Sequence, residues 1–372
     1  MTGTRIELRT VHMPLVRPFR TSKGVETERE VLLLRWIGPA GEGWSECAAG
    51  PEPVFFAEYL KGAQHVIEHV LLPLLPTGEP VTAARAQQLM RRVPGNVLAK
   101  AAVETAILDA ELRARGMPLV DYLGGVRERI EVGVSVGIAA DLAQLLAWVE
   151  GYLAEGYRRI KLKIEPGWDV EPVAAVRRAF GDDLLLQVDA NQAYGSADTQ
   201  VLLALDEFGL LLLEQPFPAD ELVAHARLAE RITTPICLDE SITGLQSATT
   251  ALALGAADVI NIKPARVGGY LEARAIHDLC RTHNIPVFCG GVLETGIGRA
   301  ANLALAALPG FTLPADISAT SRYYTNDITQ SFELVDGCLA VPAGPGSGAV
   351  INHDALDSVT TGVRAIDLKE AP

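Results

Sequence analysis

Seven side chains that could carry acid–base or metal chemistry stand at the ends of short apolar runs between Lys161 and Lys263. RRIKLK holds Lys161 and ends on Lys163, LLLQVD ends on Asp189, LLLLE on Glu214, PICLDE on Asp239 and Glu240, and DVINIK on Lys263. From Lys163 through Asp189, Glu214 and Asp239 to Lys263, the intervals are 26, 25, 25 and 24 residues. Asp189, Glu214 and Asp239 make an all-oxygen donor set without His or Cys, which suits a hard divalent ion such as Mg²⁺. Carboxylates gathered away from water are costly unless they share a cation. A lysine close to such an ion and to other cations can lose its proton near neutral pH and act as a base. Lys163 and Lys263 flank the acidic trio in the sequence and are placed for that role. The competing reading is that each acid merely caps a helix, and Asp239 followed by Glu240 and Ser241 suits it. Five charged ends in phase are harder to explain as caps.

The elements that position these residues follow from the runs themselves. LLLQVD is too short for an amphipathic helix and too apolar for a half-exposed strand, so it suits a strand buried on both faces of a parallel sheet. Helical patterns such as VEPVAAVRRAF and ELVAHARLAERI separate the runs. Strand and helix alternating at this period predict right-handed βαβ units, and enough of them close into a barrel whose active site lies at the carboxyl ends of the strands. Residues two apart on a strand share a face, so Lys161 and Lys163 both point into the barrel, where like-charge repulsion lowers the pKa of at least one.

KLKIEPGWD, QVDANQAY, LLEQPF, ICLDESI, NIKPARVGGYLEA and CGGVLETGIGRAANLALA together resemble the enolase superfamily, muconate lactonizing enzyme subgroup. Within it they are similar to the o-succinylbenzoate synthase / N-succinylamino acid racemase family. RPFRTSKG at 17–24 and PGFTLPADISATSRYYTNDIT extend the resemblance over nearly the whole chain. It implies an α/β fold: a modified TIM barrel, (β/α)7β, over residues 126–321, and an α+β capping domain over 1–125 completed by 322–372. It further implies that Lys163 is an acid/base catalyst, that Lys161 stabilises the enolate, and that Lys263 sits opposite. Asp189, Glu214 and Asp239 would hold Mg²⁺, or Mn²⁺ in its place, with no organic cofactor. The implied reactions are the dehydration that forms o-succinylbenzoate toward menaquinone and racemisation of N-succinyl or N-acylamino acids. A dedicated N-acylamino acid racemase, a dipeptide epimerase and a muconate cycloisomerase are the alternatives within the superfamily. A dipeptide epimerase usually shows an Asp-x-Asp pair after strand eight, whereas PADISAT has only Asp316. Relatives of this kind act on small carboxylates and are usually homo-oligomers.

Composition narrows the class. The chain has 372 residues, enough for a barrel and a second domain. A net charge of −14 argues against nucleic acid as a partner. The absence of a long apolar run argues against a membrane span, and MTGTRIELRTVHMPLVRPF is no signal pattern. The five cysteines are scattered and odd in number, which suggests neither a zinc site nor a disulfide framework. A cytoplasmic enzyme is the simplest expectation.

Along the chain, TRIELRTVHMPL and EREVLLLRWIG read as strands, with PFRTSKGVETE as a polar loop between them. WSECAAGPEPVFF reads as a second loop, and helices are expected at about 57–75, 82–93 and 96–116. By resemblance the loops near 18–24 and 50–57 cover the substrate. Phe19, Phe55 and Phe56 are then candidate pocket wall, with ordinary core aromatics as the alternative. EVGVSVG is the expected first barrel strand and contains a formal G-x-S-x-G around Ser135. A serine hydrolase would need a strained elbow and a partner histidine, and no histidine has a distinctive setting. Ser135 is better read as a polar substrate contact. Asn191, two residues past Asp189, is placed for substrate or the ligand shell, and Glu240 for the lysines. Arg266, three residues past Lys263, would depress the pKa of that lysine unless it is solvent-exposed. IPVFCGG is the expected strand seven. Gly291 and Glu294 precede a helix whose first N–H groups suit a substrate carboxylate. GFTLPADIS is the expected last strand, and the chain from about 322 reads as β-hairpins.

Overall fold

The structure is a computed structural model and describes residues 4–39, 41–77 and 79–368. Three antiparallel strands open the chain: β1 (Thr4–Thr21), β2 (Gly24–Gly38) and β3 (Gly41–Cys47). The run Val31-Leu-Leu-Leu34 of β2 is buried throughout because both faces of the sheet are covered. Leu32 and Leu34 join the core under the cap helices, while Val31 and Leu33 join Tyr323, Tyr324 and Ile328 from the C-terminal segment. The helix Val97–Ala114 lies against this sheet and is buried nearly all round, as its alanine-rich sequence requires. It ends before Gly116, whose φ of 63° suits glycine. Gly43 permits the close approach: a Cβ there would stand 2.2 Å from the carbonyl oxygen of Ala106 and from the amide nitrogen of Ala110.

The expected loop PFRTSKGVETE is not a loop. β1 runs on to Thr21 and pairs Phe19, Arg20 and Thr21 with Glu26, Val25 and Gly24, so only Ser22 and Lys23 form the turn. Its polarity belongs to a two-stranded ribbon that extends from the cap sheet onto the barrel, not to irregular backbone. The ribbon's register shifts between Pro14 and Phe19. The helix expected at 57–75 is a succession of α, π and 3₁₀ turns over Leu60–Val66, Ile67–Leu71 and Leu72–Leu74.

Beyond the cap come β4 (Arg129–Glu131) and seven parallel strands. These are β5 (Val134–Val136), β6 (Arg159–Lys163), β7 (Leu185–Asp189), β8 (Leu213–Glu214), β9 (Ile236–Leu238), β10 (Val259–Ile262) and β11 (Val287–Cys289). They lie in sequential order in one sheet. EVGVSVG is therefore two strands. β4 turns aside to pair antiparallel with β12 (Cys338–Ala340), and only β5 enters the barrel. The break falls at Gly133, where a Cβ would meet the Arg159 guanidinium at 2.2–2.7 Å.

The eighth segment, GFTLPADIS, forms no continuous strand. Phe311 bridges to Val287 and Ala315 to Val132, and the Asp316 amide donates to the Cys289 carbonyl at 2.9 Å, which closes the ring. Pro314 lacks the N–H that a ladder would need. From 322 onward the expected hairpins are mostly irregular chain; before the last strand, the pairings there are β12 and three isolated bridges, Thr329 with Ile351, Val335 with Cys338 and Gly346 with Pro118. The chain then returns as β13 (Thr360–Leu368), antiparallel to β1. Among the described residues no helix is long and apolar enough to cross a membrane.

Acids of the first 125 residues start helices of the barrel. Glu104 accepts from the Tyr270 and Leu271 amides at 3.2 and 3.0 Å, at the head of the helix Tyr270–Thr282. Glu46 accepts from the Thr295 and Gly298 amides at 3.1 and 3.2 Å and from the Thr295 hydroxyl, at the head of the helix Gly296–Ala306. These contacts satisfy N–H groups that a helix leaves open. Burial, with the Glu294 carboxylate nearby, pushes the Glu46 pKa up to about 8.

Two predictions follow from this packing. Gly43→Ala should lower stability by roughly 3 kcal/mol because helix backbone blocks the new methyl. Gly151→Ala, in open space on the helix Leu142–Glu155, should raise it by roughly 0.5–1 kcal/mol. Urea unfolding of both variants measures the pair, and a Gly43→Ala protein as stable as the parent would refute the close packing. For Glu46, the folded state holds a proton that the unfolded chain releases near 4.5. Its contribution is therefore present at low pH and is lost as pH rises from about 4.5 through about 8. Between those limits, parent stability should fall relative to Glu46→Gln by more than ~1.4 kcal/mol, the worth of one pKa unit. Parallel unfolding curves with pH would show the carboxyl to be ionised in the fold.

Candidate active site

The strands that carry the charged ends place them in one buried cluster. Lys161 and Lys163 sit on β6 and are 3% and 7% exposed; Lys263 follows β10 and is 5% exposed. In the ring order β6 and β10 are separated by three strands, so the two lysines approach from opposite sides. All three line a single cavity of about 370 Å³.

Asp189, Glu214 and Asp239 are fully buried at the ends of neighbouring strands, and one oxygen of each lies within 4.8 Å of the others. The donors are carboxylates alone, and this chemistry fits a hard divalent ion such as Mg²⁺ or Mn²⁺. Amines hold them as well. Lys163 Nζ donates to Asp189 Oδ2 at 2.6 Å and to Asn191 Oδ1 at 2.8 Å, Lys161 Nζ to Glu214 Oε2 at 3.0 Å, and Lys263 Nζ to Asp239 Oδ2 at 2.7 Å. Burial would raise the Asp189 pKa, but Lys163 and Lys161 outweigh it and hold the group at about 2.

Lys161 is not the member of the lysine pair whose pKa is lowered by its neighbour. Burial works to lower its pKa, but Asp316, Glu214 and Asp189 surround the amine and hold it well above the ordinary lysine value. Arg266 is neither exposed nor aimed at Lys263: it is 2% exposed and its guanidinium contacts Asp239 directly. Its other donors are taken by the carbonyls of Ile242 at 2.7 Å and Asn261 at 2.6 Å. Burial draws its own pKa down to about 9. Arg266 thus acts on the carboxylate that Lys263 also holds.

The remaining candidates divide. Phe19, Phe55, Phe56, Ser135 and Gly291 line the cavity with the lysines. Asn191 bridges Lys163 to Glu240, donating to Glu240 Oε1 at 3.1 Å. Glu294 does not line the main cavity; it borders a separate small one and accepts from the Asn302 amide at 2.9 Å. The helix start beside it is not free for a substrate carboxylate, because Glu46 takes the Thr295 and Gly298 amides and Asp327 takes that of Gly296. Ser135 stands within β5, its hydroxyl buried without a protein partner, and no histidine lines the cavity. The G-x-S-x-G pattern therefore makes no nucleophile elbow.

Two segments of the cap cover the cavity differently. The hairpin 18–24 is bonded to the barrel: Ile138 N–H donates to the Arg20 carbonyl at 2.9 Å, Ser22 Oγ to Ala190 O at 3.1 Å, and Arg20 pairs with Glu165 at 2.7 Å. The loop 51–58 is pinched at its base, where Gly50 bridges to Tyr59, and its tip lays the Phe55 ring 5.6 Å from Lys263 Nζ.

Some members of the cluster were passed over in the sequence. Asn261 donates to Glu214 Oε1 at 2.7 Å, and Gln187 reaches the other oxygen of Glu214 at 3.4 Å. They stand two residues before Lys263 and Asp189, so the alternation that pairs Lys161 with Lys163 would have found them. Gln215, at φ 39°, accepts from the Asp239 and Ser241 amides at 2.9 and 3.2 Å and so ties the end of β8 to the end of β9. No spacing signal marks that contact.

Known proteins with this arrangement are close in sequence. Residues 5–124 match the N-terminal domain of the mandelate racemase / muconate lactonizing enzyme family, and residues 144–355 match the enolase C-terminal domain-like family. An N-succinylamino acid racemase from Amycolatopsis sp. is 57% identical over 96% of this chain and 97% of its own. An o-succinylbenzoate synthase from Geobacillus kaustophilus is 45% identical over 95% and 94%. The crystal structure of an enolase superfamily member from Listeria innocua matches with a TM-score of 0.93 at 38% identity, over 98% of this chain and 99% of that one. Matched along both segments and across nearly its full length, the chain belongs to the mandelate racemase / muconate lactonizing enzyme branch of the enolase superfamily.

Proposed function

We propose that this protein is an o-succinylbenzoate synthase, serving the dehydration toward menaquinone, and that it racemises N-succinyl or N-acylamino acids in the same site. One observation carries the reading: Lys163 and Lys263 reach one cavity from opposite sides of the ring, each beside a buried carboxylate. The relatives named above include one protein of each activity, which supports pairing them.

The shared chemical problem is a weakly acidic proton alpha to a carboxylate. Its removal places a second negative charge on the substrate, and that charge must be met as it forms. Asp189, Glu214 and Asp239 would hold a divalent ion, which would supply Lewis-acid charge to the substrate carboxylate. Lys161, kept cationic by Asp316, Glu214 and Asp189, adds a fixed positive charge from the barrel floor. Lys163 Nζ takes the alpha proton on one face, oriented by Asp189 and Asn191. For dehydration, the same ammonium returns a proton to the departing hydroxyl, while Lys263 stabilises the enediolate from the opposite face. For racemisation, Lys263 delivers a proton to that opposite face, and the two amines exchange roles for the other enantiomer. Phe19, Phe55 and Phe56 exclude water, and the Ser135 hydroxyl offers a hydrogen bond to the substrate.

A dipeptide epimerase reading fares worse. Asp316, the one acid of PADISAT, is already engaged by Lys161 and Arg159 and is not free for a substrate ammonium.

In D₂O, the parent should exchange the alpha proton of both enantiomers of an N-succinylamino acid. Lys163→Ala and Lys263→Ala should each lose racemisation by at least about 10³-fold, each retaining exchange for one opposite enantiomer. Racemisation surviving in either variant would refute the two-base scheme; proton NMR reads the exchange. Dehydration should fall with Lys163→Ala. Chelation should abolish both reactions and Mg²⁺ or Mn²⁺ restore them, whereas a serine hydrolase would be indifferent. Glu214→Gln should weaken Mn²⁺ binding, measured by calorimetry, by about 10-fold or more. Unchanged binding would remove the acidic trio from the metal site.

A further inference from the structure

Arg322 lies in the turn Thr320–Arg322, just after the barrel closes, and is 6% exposed. Its guanidinium carbon sits 4.8 Å from the ring centre of Tyr323, 5.1 Å from that of Tyr152 and 5.5 Å from that of Phe19. Its Nη2 donates to the Ser135 carbonyl at 2.8 Å, and its Nε is buried without a partner. Among the described residues no carboxylate forms an ion pair with it. A cation this buried is ordinarily paired with an acid. Here three aromatic faces and one carbonyl take the place of the acid.

The groups that Arg322 touches come from four parts of the chain. Phe19 belongs to β1, Ser135 to β5, Tyr152 to the helix Leu142–Glu155, and Tyr323 to the C-terminal segment. Phe19, Ser135 and Tyr323 all line the cavity, whereas Arg322 does not. Phe19 also meets Tyr323 edge-on, with centroids 6.2 Å apart. Two backbone bonds flank the stack: Val16 N–H to the Tyr323 carbonyl and Ile138 N–H to the Arg20 carbonyl, both 2.9 Å.

We infer that Arg322 is a positioning residue that fixes the hairpin wall of the cavity, Phe19, relative to the barrel wall, Ser135, and so sets the room available to the variable group of the substrate. The planar fork is what the role requires, because it stacks on rings while its edge donates to Ser135. A lysine ammonium keeps the charge and loses both features. The kinetic part of the inference rests on the cavity being the substrate site proposed above; the mechanical part does not.

The test compares Arg322→Met, Arg322→Lys and Phe19→Leu with the parent in two measurements. Hydrogen exchange is followed by mass spectrometry in peptides spanning 14–21 and 135–140, which contain the Val16 and Ile138 amides. Steady-state racemisation is followed with N-succinylamino acids of increasing side-chain size. In Arg322→Met, loss of the stack should speed exchange in both peptides by about tenfold or more and raise KM by a similar factor, with kcat within about threefold. Arg322→Lys should not rescue either value. Phe19→Leu should shift both measures in the same direction, and adding Arg322→Met to it should cost less than the product of the separate effects. Unchanged exchange in Arg322→Met, full rescue by lysine, or a fall in kcat at constant KM would each overturn the inference. If the parent turns over neither substrate class, the proposed reaction falls, and hydrogen exchange alone decides the role of Arg322. If Arg322→Met does not fold, Arg322→Lys and Phe19→Leu decide by the same measures.

Discussion

The constraint on which the structure depends is that ions buried at the mouth of a barrel must answer one another. Asp189, Glu214 and Asp239 are shielded from water together with Lys161, Lys163, Lys263 and Arg266, and the half-buried Asp316 lies against Lys161. None of these charges is affordable alone in such a medium. The strand ends therefore bring opposite charges together: Lys163 stands beside Asp189, Lys263 and Arg266 against Asp239, and the adjacent carboxylates of Asp189 and Glu214 share the ammonium of Lys161. Because the partners arrive from different strands, the cluster exists only when the ring is closed in register. Chemistry and closure are thus the same arrangement of charges.

The cap takes part in that closure. Glu46 and Glu104 reach out of the first 125 residues to start barrel helices that supply no acid of their own at those amides. Asp109 performs a similar service within and beyond the cap, accepting from the Trp44 amide at 2.9 Å and the Ser347 amide at 2.6 Å. Burial of these carboxyls costs stability that their backbone partners offset. The result is a shared boundary on which neither half completes its hydrogen bonding without the other.

Much of this was legible in the sequence where a period or a charge pattern enforced it. The interval of about 25 residues between charged ends gave the parallel strands and their order, because a buried strand shows as an unbroken apolar run. The long helix ending before Gly116 was equally plain. The hairpin 18–24 was not, because polar residues on an exposed ribbon look like a loop. Strand one was misjudged because the space taken by the Arg159 side chain decides where Gly133 breaks it, and a side chain 26 positions away leaves no mark on the local pattern. Arg266 was visible as a cation near Lys263, but only folding shows that it meets Asp239. The amides before Glu294's helix were expected to serve a ligand. They serve Glu46 instead, a partner nearly 250 positions distant in the chain.

The two covers of the cavity differ in how they are fastened. The hairpin is bonded to the loops after three barrel strands, while the 51–58 segment is closed at its neck and touches the barrel through an aromatic tip. A molecule in the cavity thus lies between one wall that is hydrogen-bonded to the barrel and one that meets it through an aromatic ring. Phe55 faces Lys263 from that segment, so exchange of the segment between relatives would reshape one wall of the site while leaving its amines and carboxylates in place.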